Sequence, residues 1–414
     1  MGSRLTGYGE ARSVTERLYY NDSFLREFDA NVLSCEREGE GENARWRIIL
    51  DRTAFYPTSG GQPHDLGRLG SASVVEVVDA PDGKGVVHYT SAAVQPGTIH
   101  GEIDWPRRMD HMQQHTGQHL LSAALVELLQ FPTVSFHLGR ETSTIDLDAP
   151  SIVPRHLAEA ERRVNEIIFE DRIVAVRFGT AEELAEAGIR KKVEREGILR
   201  AVEVDGFDRQ PCGGTHLART GQAGLLLLRK LEHRRDFWRL EFVCGFRALA
   251  AARADFSTLT QAASLLSCGL PDVPSGLEKI IEERRAQHGA AKRLEEKLAE
   301  FESRALLAQN LPAASGARIV SAVLDDATPA YLALLAAKIT AEGKTIALLA
   351  GRATGHIVFA QPKGGSADLG AALRETMKEF TGKGGGSRDF AQGSVAPAAN
   401  LDTLLAAAKL RLTA

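Results

Sequence analysis

The chain has 414 residues, a formal net charge of −4, and 43% hydrophobic against 25% charged residues. That is the profile of a folded soluble protein of two or three domains. It contains no uncharged apolar stretch of roughly 18 residues, which excludes a membrane-spanning helix, and its first residues lack the apolar centre of a signal peptide. Four cysteines, Cys35, Cys212, Cys244 and Cys268, are too few and too scattered for a disulfide framework, so a reducing cytoplasm is the expected location. The total charge does not announce a nucleic-acid partner, although basic strips occur at Arg190-Lys191-Lys192 and between Arg229 and Arg239. Each strip taken alone reads equally well as a solvated face.

Residues 1–100 predict a small all-β barrel. Trp46, Ile48 and Leu50 alternate with Arg45, Arg47 and Ile49, and further strand-like runs lie at Ser73–Val78 and Val86–Tyr89. The segment Phe55-Tyr56-Pro57-Thr58-Ser59-Gly60-Gly61-Gln62-Pro63 reads as a Gly/Pro loop. Residues 101–247 predict an α+β domain. A helix near Asp110–Leu129 carries Leu120, Leu121, Ala124, Leu125 and Leu128 at helical spacing. A second helix starts at Pro154, and strands follow at 172–178, 198–204, 224–231 and 237–243, giving helices on an antiparallel sheet.

Residues 248–312 predict a helical linker with a coiled coil. Heptads counted from Leu277 put Leu277, Arg284, Ala291, Leu298 and Ala305 at one seam position, and Ile280, Gln287, Leu294, Phe301 and Ala308 at the other. Residues 313–414 alternate strand and helix and form a compact α/β domain, with Gly382–Arg388 read as a basic, glycine-rich loop.

The strongest chemical signal lies in the first helix, His111-Met-Gln-Gln-His115-Thr-Gly-Gln-His119. Residues four apart share a helix face, so the three imidazoles form one stripe. Far along the chain, Cys212-Gly-Gly-Thr-His216 offers a thiolate and an imidazole in a glycine-rich turn. His-x3-His with Cys-x3-His supplies four ligands of the kind zinc prefers, although spacing leaves the choice among His111, His115 and His119 open. Four protein ligands normally close a zinc site and make it structural, so catalysis there needs a further position. A metallopeptidase fits poorly, because Met112 and Thr116 stand where the general base of a His-Glu-x-x-His helix belongs.

These residues also carry a resemblance. His115-Thr-Gly-Gln-His119 with Cys212-Gly-Gly-Thr-His216 resembles the editing domain of alanyl-tRNA synthetase and its free-standing AlaX relatives. The loop from Phe55 to Gln62 is similar to a family segment that often has a Glu where Thr58 stands. Thr133-Val-Ser-Phe-His-Leu-Gly139 with Ser143–Asp146 resembles the AlaX form of the loop facing the metal. The last domain, with Gly384-Gly385-Gly386 and Ala391-Gln392-Gly393, resembles the DHH-associated domain of that synthetase.

The resemblance implies a four-part α+β architecture: a translation-factor-like barrel, a zinc-binding editing domain, a helical coiled-coil linker and a DHH-associated α/β domain. It also implies a stand-alone editor of the long AlaX type that hydrolyses Ser-tRNA(Ala), with Gly-tRNA(Ala) as a further substrate. It assigns one zinc ion per chain to His115, His119, Cys212 and His216, with His111 as a neighbour. Backbone N–H groups of Gly60 and Gly61, with Gln62 beside them, are catalytic candidates. Thr133, Ser135 and His137 are candidates for recognising the serine hydroxyl. Lys191, Lys192, Arg234, Arg235, Lys383 and Arg388 are candidates for contacting tRNA, and the coiled coil with the last domain points to a homodimer. The alternative is a non-catalytic tRNA-binding protein with a structural zinc.

Overall fold

A computed structural model of the chain describes residues 14–41, 44–81, 83, 85–190, 197–313, 317–396 and 400–413. The chain divides into two compact units, Met1–Gln261 and Ala262–Ala414.

The first unit opens with β1 (Glu16–Arg17), β2 (Glu27–Glu38), β3 (Arg45–Leu50), β4 (Arg52–Thr53), β5 (Gly67–Leu69), β6 (Ala72–Asp79), β7 (Val86–Thr90) and β8 (Gly97–Ile103). Six of these close a barrel in the order β2-β3-β7-β6-β5-β8, while β1 pairs in parallel with β4. Closure leaves the barrel no free sheet edge. Alternation along β3 sends Ile48 and Leu50 inward, where they meet Phe28, Phe55, Leu69, Val77 and Val86. The expected barrel is therefore present, with Phe55–Pro63 in the long connection between β4 and β5.

Helix α1 (Trp105–Leu129) follows directly. The Asp104 carboxylate accepts from the Arg107 N–H, and Pro106 stands in the first turn. The sequence reading began this helix at Asp110, because the apolar spacing starts only after that first turn. Next come β9 (Thr133–Leu138), β10 (Ser143–Leu147), α2 (Pro154–Phe169), β11 (Val174–Gly179), α3 (Ala181–Glu186), β12 (Leu199–Val204), β13 (Asp208–Pro211), β14 (Leu226–His233), β15 (Trp238–Cys244) and α4 (Phe246–Leu266).

Where one antiparallel sheet was expected, there are two: β14-β15-β10-β9 and β11-β12-β13. Helix α1 explains the difference. Every residue from His111 to Leu125 is buried, polar and apolar alike. A helix buried all round needs cover on several sides, and α1 packs against β9 and β15 of one sheet and β13 of the other. The Thr133–Asp146 segment, expected as a loop facing the metal, is largely the hairpin β9–β10, with Ser143 opposite Leu138 and Asp146 opposite Ser135.

In the second unit, α5 (Val273–Gln309) is one continuous helix. It is followed by β16 (Arg318–Leu324), α6 (Pro329–Thr340), β17 (Thr345–Gly351), β18 (His356–Ala360), α7 (Leu369–Glu379), β19 (Lys383–Gly386), β20 (Phe390–Ser394) and α8 (Leu401–Thr413). The five-stranded sheet runs β16-β17-β18-β20-β19, with only β16 and β17 parallel. Alternation along β17 sends Ala347 and Leu349 toward α6, and Leu348 and Ala350 toward α7 and α8.

Two expectations are corrected in this unit. The stretch 382–388 is not all loop, since Lys383–Gly386 pairs with β20 as an edge strand. A Cβ on Gly386 would lie 2.3 Å from the Phe390 carbonyl oxygen, so glycine permits the close approach of the two strands there. Helix α5 buries Ala299, Ser303 and Leu307, a stripe at four-residue spacing that packs toward α6. The heptad seam is a different face. Its Leu294 and Phe301 are 67% and 73% exposed in the single chain.

Candidate metal centre

His115 and His119 sit one turn apart on α1, while Cys212 and His216 flank the turn after β13. Their four ligand atoms lie within 4.8 Å of one another. Cys212 Sγ is 3.4 Å from His115 Nε2 and 3.2 Å from His216 Nε2. The turn can come this close because residue 214 is glycine: a Cβ there would lie 2.2 Å from His115 Cε1. Arg200 ties the turn down by donating to the carbonyls of Cys212 (2.7 Å) and Gly214 (3.0 Å).

His115 and His216 are held through their other ring nitrogen, as metal-binding histidines are, while His119 Nδ1 has no hydrogen-bond partner among the described residues. Gln62 Oε1 accepts from the Thr215 N–H at 3.2 Å, while its Nε2 donates to Thr215 Oγ1 at 2.9 Å. This fixes the amide orientation, so the 2.8 Å contact between Gln62 Oε1 and His115 Nδ1 requires a proton on Nδ1. The Nε2 lone pair of His115 is then left for the centre. Thr116 Oγ1 lies 3.1 Å from His216 Nδ1 and also accepts from the Leu217 N–H. Asp208 Oδ2 stands 3.6 Å from His119 Nδ1, an ion-pair rather than a hydrogen-bond separation.

The four groups perturb one another strongly. Burial alone would push the Cys212 thiol up, but the neighbouring His115 and His216 rings carry it well below its ordinary value. Burial likewise lowers His119, yet the Asp208 carboxylate and the Cys212 sulfur outweigh it and raise the pKa to about 9. His216 is pushed down to about 3 by burial and by the adjacent His115. A half-buried thiolate with three convergent imidazoles, two of them oriented from behind by hydrogen bonds, is a donor set that fits a metal ion.

His111 is outside the group. It lies a turn earlier on α1, is 3% exposed, and lines a different cleft. The four ligands assigned by the resemblance are the ones the fold brings together.

A cleft of about 280 Å³ opens onto the centre, lined by Gly60, Gln118, Thr133, Ser135 and Phe136 among others. Phe136 stacks on the His115 ring, centroids 5.3 Å apart. Gly60 and Gly61 have φ of +56° and +85°, and among the described residues neither N–H donates a backbone hydrogen bond. Gly60 lines the cleft, whereas Gly61 offers its carbonyl to the Leu138 N–H at 2.9 Å. Gln62 is fully buried behind His115. Thr133 Oγ1 lies 2.6 Å from Ser122 Oγ, which accepts from Gln118, and Ser135 Oγ donates to Asp146 at 2.5 Å. His137 is exposed and does not line the cleft. Thr58 is exposed as well and contacts His64, so it also stands away from the cleft.

Of the basic candidates, Lys191 and Lys192 lie outside the described residues. Arg234 is exposed and paired with Glu232, and Arg235 is exposed beside it. Lys383 and Arg388 are exposed in the second unit, where Arg388 donates to the Ser366 carbonyl at 2.9 Å. Sequence reasoning gave no site role to Asp208 behind His119, to Arg190, which pairs with Asp208 and lines the cleft, or to Phe136 and Gln118. Arg190 stood in a basic strip, Phe136 in the 133–139 segment and Gln118 in the His-Thr-Gly-Gln-His run, so only Asp208 had no local signal.

Residues 199–236, which include Cys212 and His216, match the family described as "Threonyl and Alanyl tRNA synthetase second additional domain". Residues 316–414 match the DHHA1 domain. The chain is 30% identical over 400 residues to the alanyl-tRNA editing protein AlaX-L of Pyrococcus horikoshii, covering 92% of this chain and 95% of that protein. It belongs to the alanyl-tRNA editing protein family. The editing protein Aarsd1 of Mus musculus is 28% identical over 392 residues, covering 91% of this chain and 93% of that one. The alanine–tRNA ligase of Archaeoglobus fulgidus is 31% identical over 396 residues, which are 92% of this chain but 42% of the ligase. The family thus pairs a long editing protein with the corresponding part of a ligase.

Proposed function

We propose that this protein hydrolyses tRNA(Ala) carrying the wrong amino acid, chiefly serine and also glycine, in trans and in the cytoplasm. The observation that carries the reading is the cluster of His115, His119, Cys212 and His216 at the base of an open cleft, in a chain of this family. Mixed thiolate and imidazole donors favour zinc, one ion per chain. Zinc bound there supplies positive charge for anchoring the amino group or polarising the ester carbonyl.

The chain's own groups do the rest. Water attacks the ester carbonyl, the acyl C–O bond breaks, and free serine and a tRNA ribose hydroxyl leave. The Gly60 N–H, on the cleft wall, holds the tRNA end or the developing oxyanion. The hydroxyls of Thr133 and Ser135, anchored by Ser122 and Asp146, face the acyl group and read its hydroxyl. The exposed stripe through Leu294 and Phe301 supports a homodimer through α5, which sedimentation at low concentration checks.

The test is deacylation of Ser-tRNA(Ala) and Ala-tRNA(Ala) by intact protein and by Cys212→Ala, with metal content measured for both. The expected result is fast hydrolysis of the serine ester alone, lost together with the metal. Equal rates on both esters would sink the proofreading reading. A second reading, RNA binding around a structural zinc, is favoured by the four protein donors, which close a tetrahedral site. Zinc-loaded protein that binds RNA but hydrolyses nothing would establish it.

A further inference from the structure

A second cleft, of about 380 Å³, lies beside the metal centre and is lined by Arg107, Arg140, Arg247, Asp110 and His111 among others. We propose that it holds a phosphodiester of the RNA 3′ end whose ester lies at the metal centre, an inference that rests on the proposed hydrolysis.

Three observations carry it. The first is charge. Three guanidiniums face one carboxylate, and Asp110 is taken by Arg247 through two contacts of 2.8 and 2.6 Å. Arg107 spends its Nε on the His64 carbonyl at 3.0 Å, which leaves its two terminal amino groups uncommitted among the described residues. Arg140 is exposed and makes no ion pair or hydrogen bond among the described residues. Guanidinium groups presented this way suit the oxygens of a phosphate, which they can grip in pairs.

The second is His111. It is buried, lines the cleft, and its Nδ1 lacks any hydrogen-bond partner. Among the described residues neither ring nitrogen of His111 has a hydrogen-bond partner, so the one N–H of the neutral ring is available to a ligand oxygen in the cleft. Burial and the Arg107 and Arg247 charges push its pKa down to about 3, so the ring is neutral and the positive field around it is unbalanced.

The third is continuity. The elements that wall the metal cleft each run on into this one. The loop passes from Gly60 to Pro63, β9 leads into Gly139 and Arg140 just past its end, and α1 carries His111 one turn before His115. One turn is a rise of about 6 Å over four residues. A backbone bond from the Leu138 N–H to the Gly61 carbonyl stands between the two clefts. A nucleotide whose ribose ester reaches the metal centre can therefore lay its phosphate against the arginines.

Arg140→Ala tests this, because the side chain is exposed and its loss leaves the fold untouched. An uncharged RNA minihelix ending in CCA is titrated onto intact protein, Arg140→Ala and Arg140→Lys across a salt series. The expected result is about tenfold weaker binding for the alanine variant, partial rescue by lysine, and a salt slope reduced by about one. Hydrolysis is then compared on a seryl-minihelix and on 3′-O-seryladenosine, which has no phosphate. The ratio of intact to variant kcat/KM should be about tenfold larger on the minihelix, with the change in KM.

Equal ratios on the two substrates overturn the assignment. So does inorganic phosphate binding by the intact protein together with unaltered minihelix binding by Arg140→Ala, which marks a free-anion site. Failure of the intact protein to hydrolyse either ester removes the proposed function, while the binding series still decides the cleft.

Discussion

Replacing Gln62 by Met keeps roughly the side-chain length but removes the amide that holds His115 from behind. In the intact protein Gln62 Oε1 accepts from His115 Nδ1 at 2.8 Å and from the Thr215 N–H at 3.2 Å, in a fully buried position. Met leaves both donors without partners and frees the imidazole to rotate or to move its proton to Nε2, which must stay bare to bind metal. Loss of an outer partner of this kind costs about 10–100-fold in metal affinity, equivalent to about 1.4–2.7 kcal/mol. The unsatisfied Thr215 N–H adds about 1–3 kcal/mol to the loss of folding stability. Chelator competition gives the affinity, urea unfolding gives the stability, and hydrolysis at saturating metal isolates the chemical step. The expected pattern is weak metal binding with near-intact kcat once the metal is restored. A folded Gln62→Met protein with unchanged metal affinity and a collapsed kcat would refute the positioning role and make Gln62 a member of the chemistry.

Arg108→Leu should destabilise the first unit by about 3–5 kcal/mol in urea unfolding. It strands the Asp65 carboxylate in a place where both partners are fully buried. A loss below about 1 kcal/mol would show that water reaches the pair. His88, buried in the barrel wall with its Nε2 2.8 Å from Thr53 Oγ1, is pushed by burial from 6.5 down to about 4. Because the folded pKa is depressed, its contribution is fully present above pH 6.5 and is lost as pH falls toward 4, by about 3 kcal/mol. The difference in urea midpoint between intact protein and His88→Gln should narrow over that window, and a constant difference would contradict the assignment. Ser135→Ala should lower the preference for the serine ester over the alanine ester in kcat/KM about tenfold or more, measured with both charged tRNAs, and an unchanged ratio would remove Ser135 from recognition.

Much of the site was legible in the sequence, for a physical reason. His115 and His119 share a helix face by spacing alone, and Cys212 and His216 bracket a glycine turn whose tightness Gly214 makes necessary. What sequence could not supply were partners brought from far away. Asp208 behind His119, and Gln62 behind His115, become visible only when β13 and the barrel loop close on α1. Spacing alone could not separate His111 from its two neighbours; the resemblance did so, and the fold places His111 on a different cleft. The barrel strands were readable because alternation is a local property. The face that α5 buries was not. The heptad rule located a seam through Leu294 and Phe301, whereas the second unit covers Ala299, Ser303 and Leu307, a stripe in which only Leu307 stands out in a hydrophobic count.

The barrel and the metal-bearing region act as one body, and the reason lies in α1. Arg108, in its first turns, donates to Asp65 and to the carbonyls of Ser23 and Ala54, all from the barrel side, at 2.5 to 3.1 Å. The same Asp65 carboxylate accepts from the Tyr56 N–H at 2.6 Å, at the root of the loop that carries Gly60 and Gln62. The loop is thus fixed to the helix two turns before His115, and Gln62 meets His115 through a path of buried, charge-assisted bonds. A hydrophobic pair of equal volume could hold the two parts together as firmly, but without direction. Hydrogen bonds at fixed angles set the register between loop and helix, and the metal ligands need that register because orientation of His115 depends on one amide. The barrel is therefore a structural half of the metal centre, and a chain begun at α1 would carry all four ligands yet leave His115 unoriented.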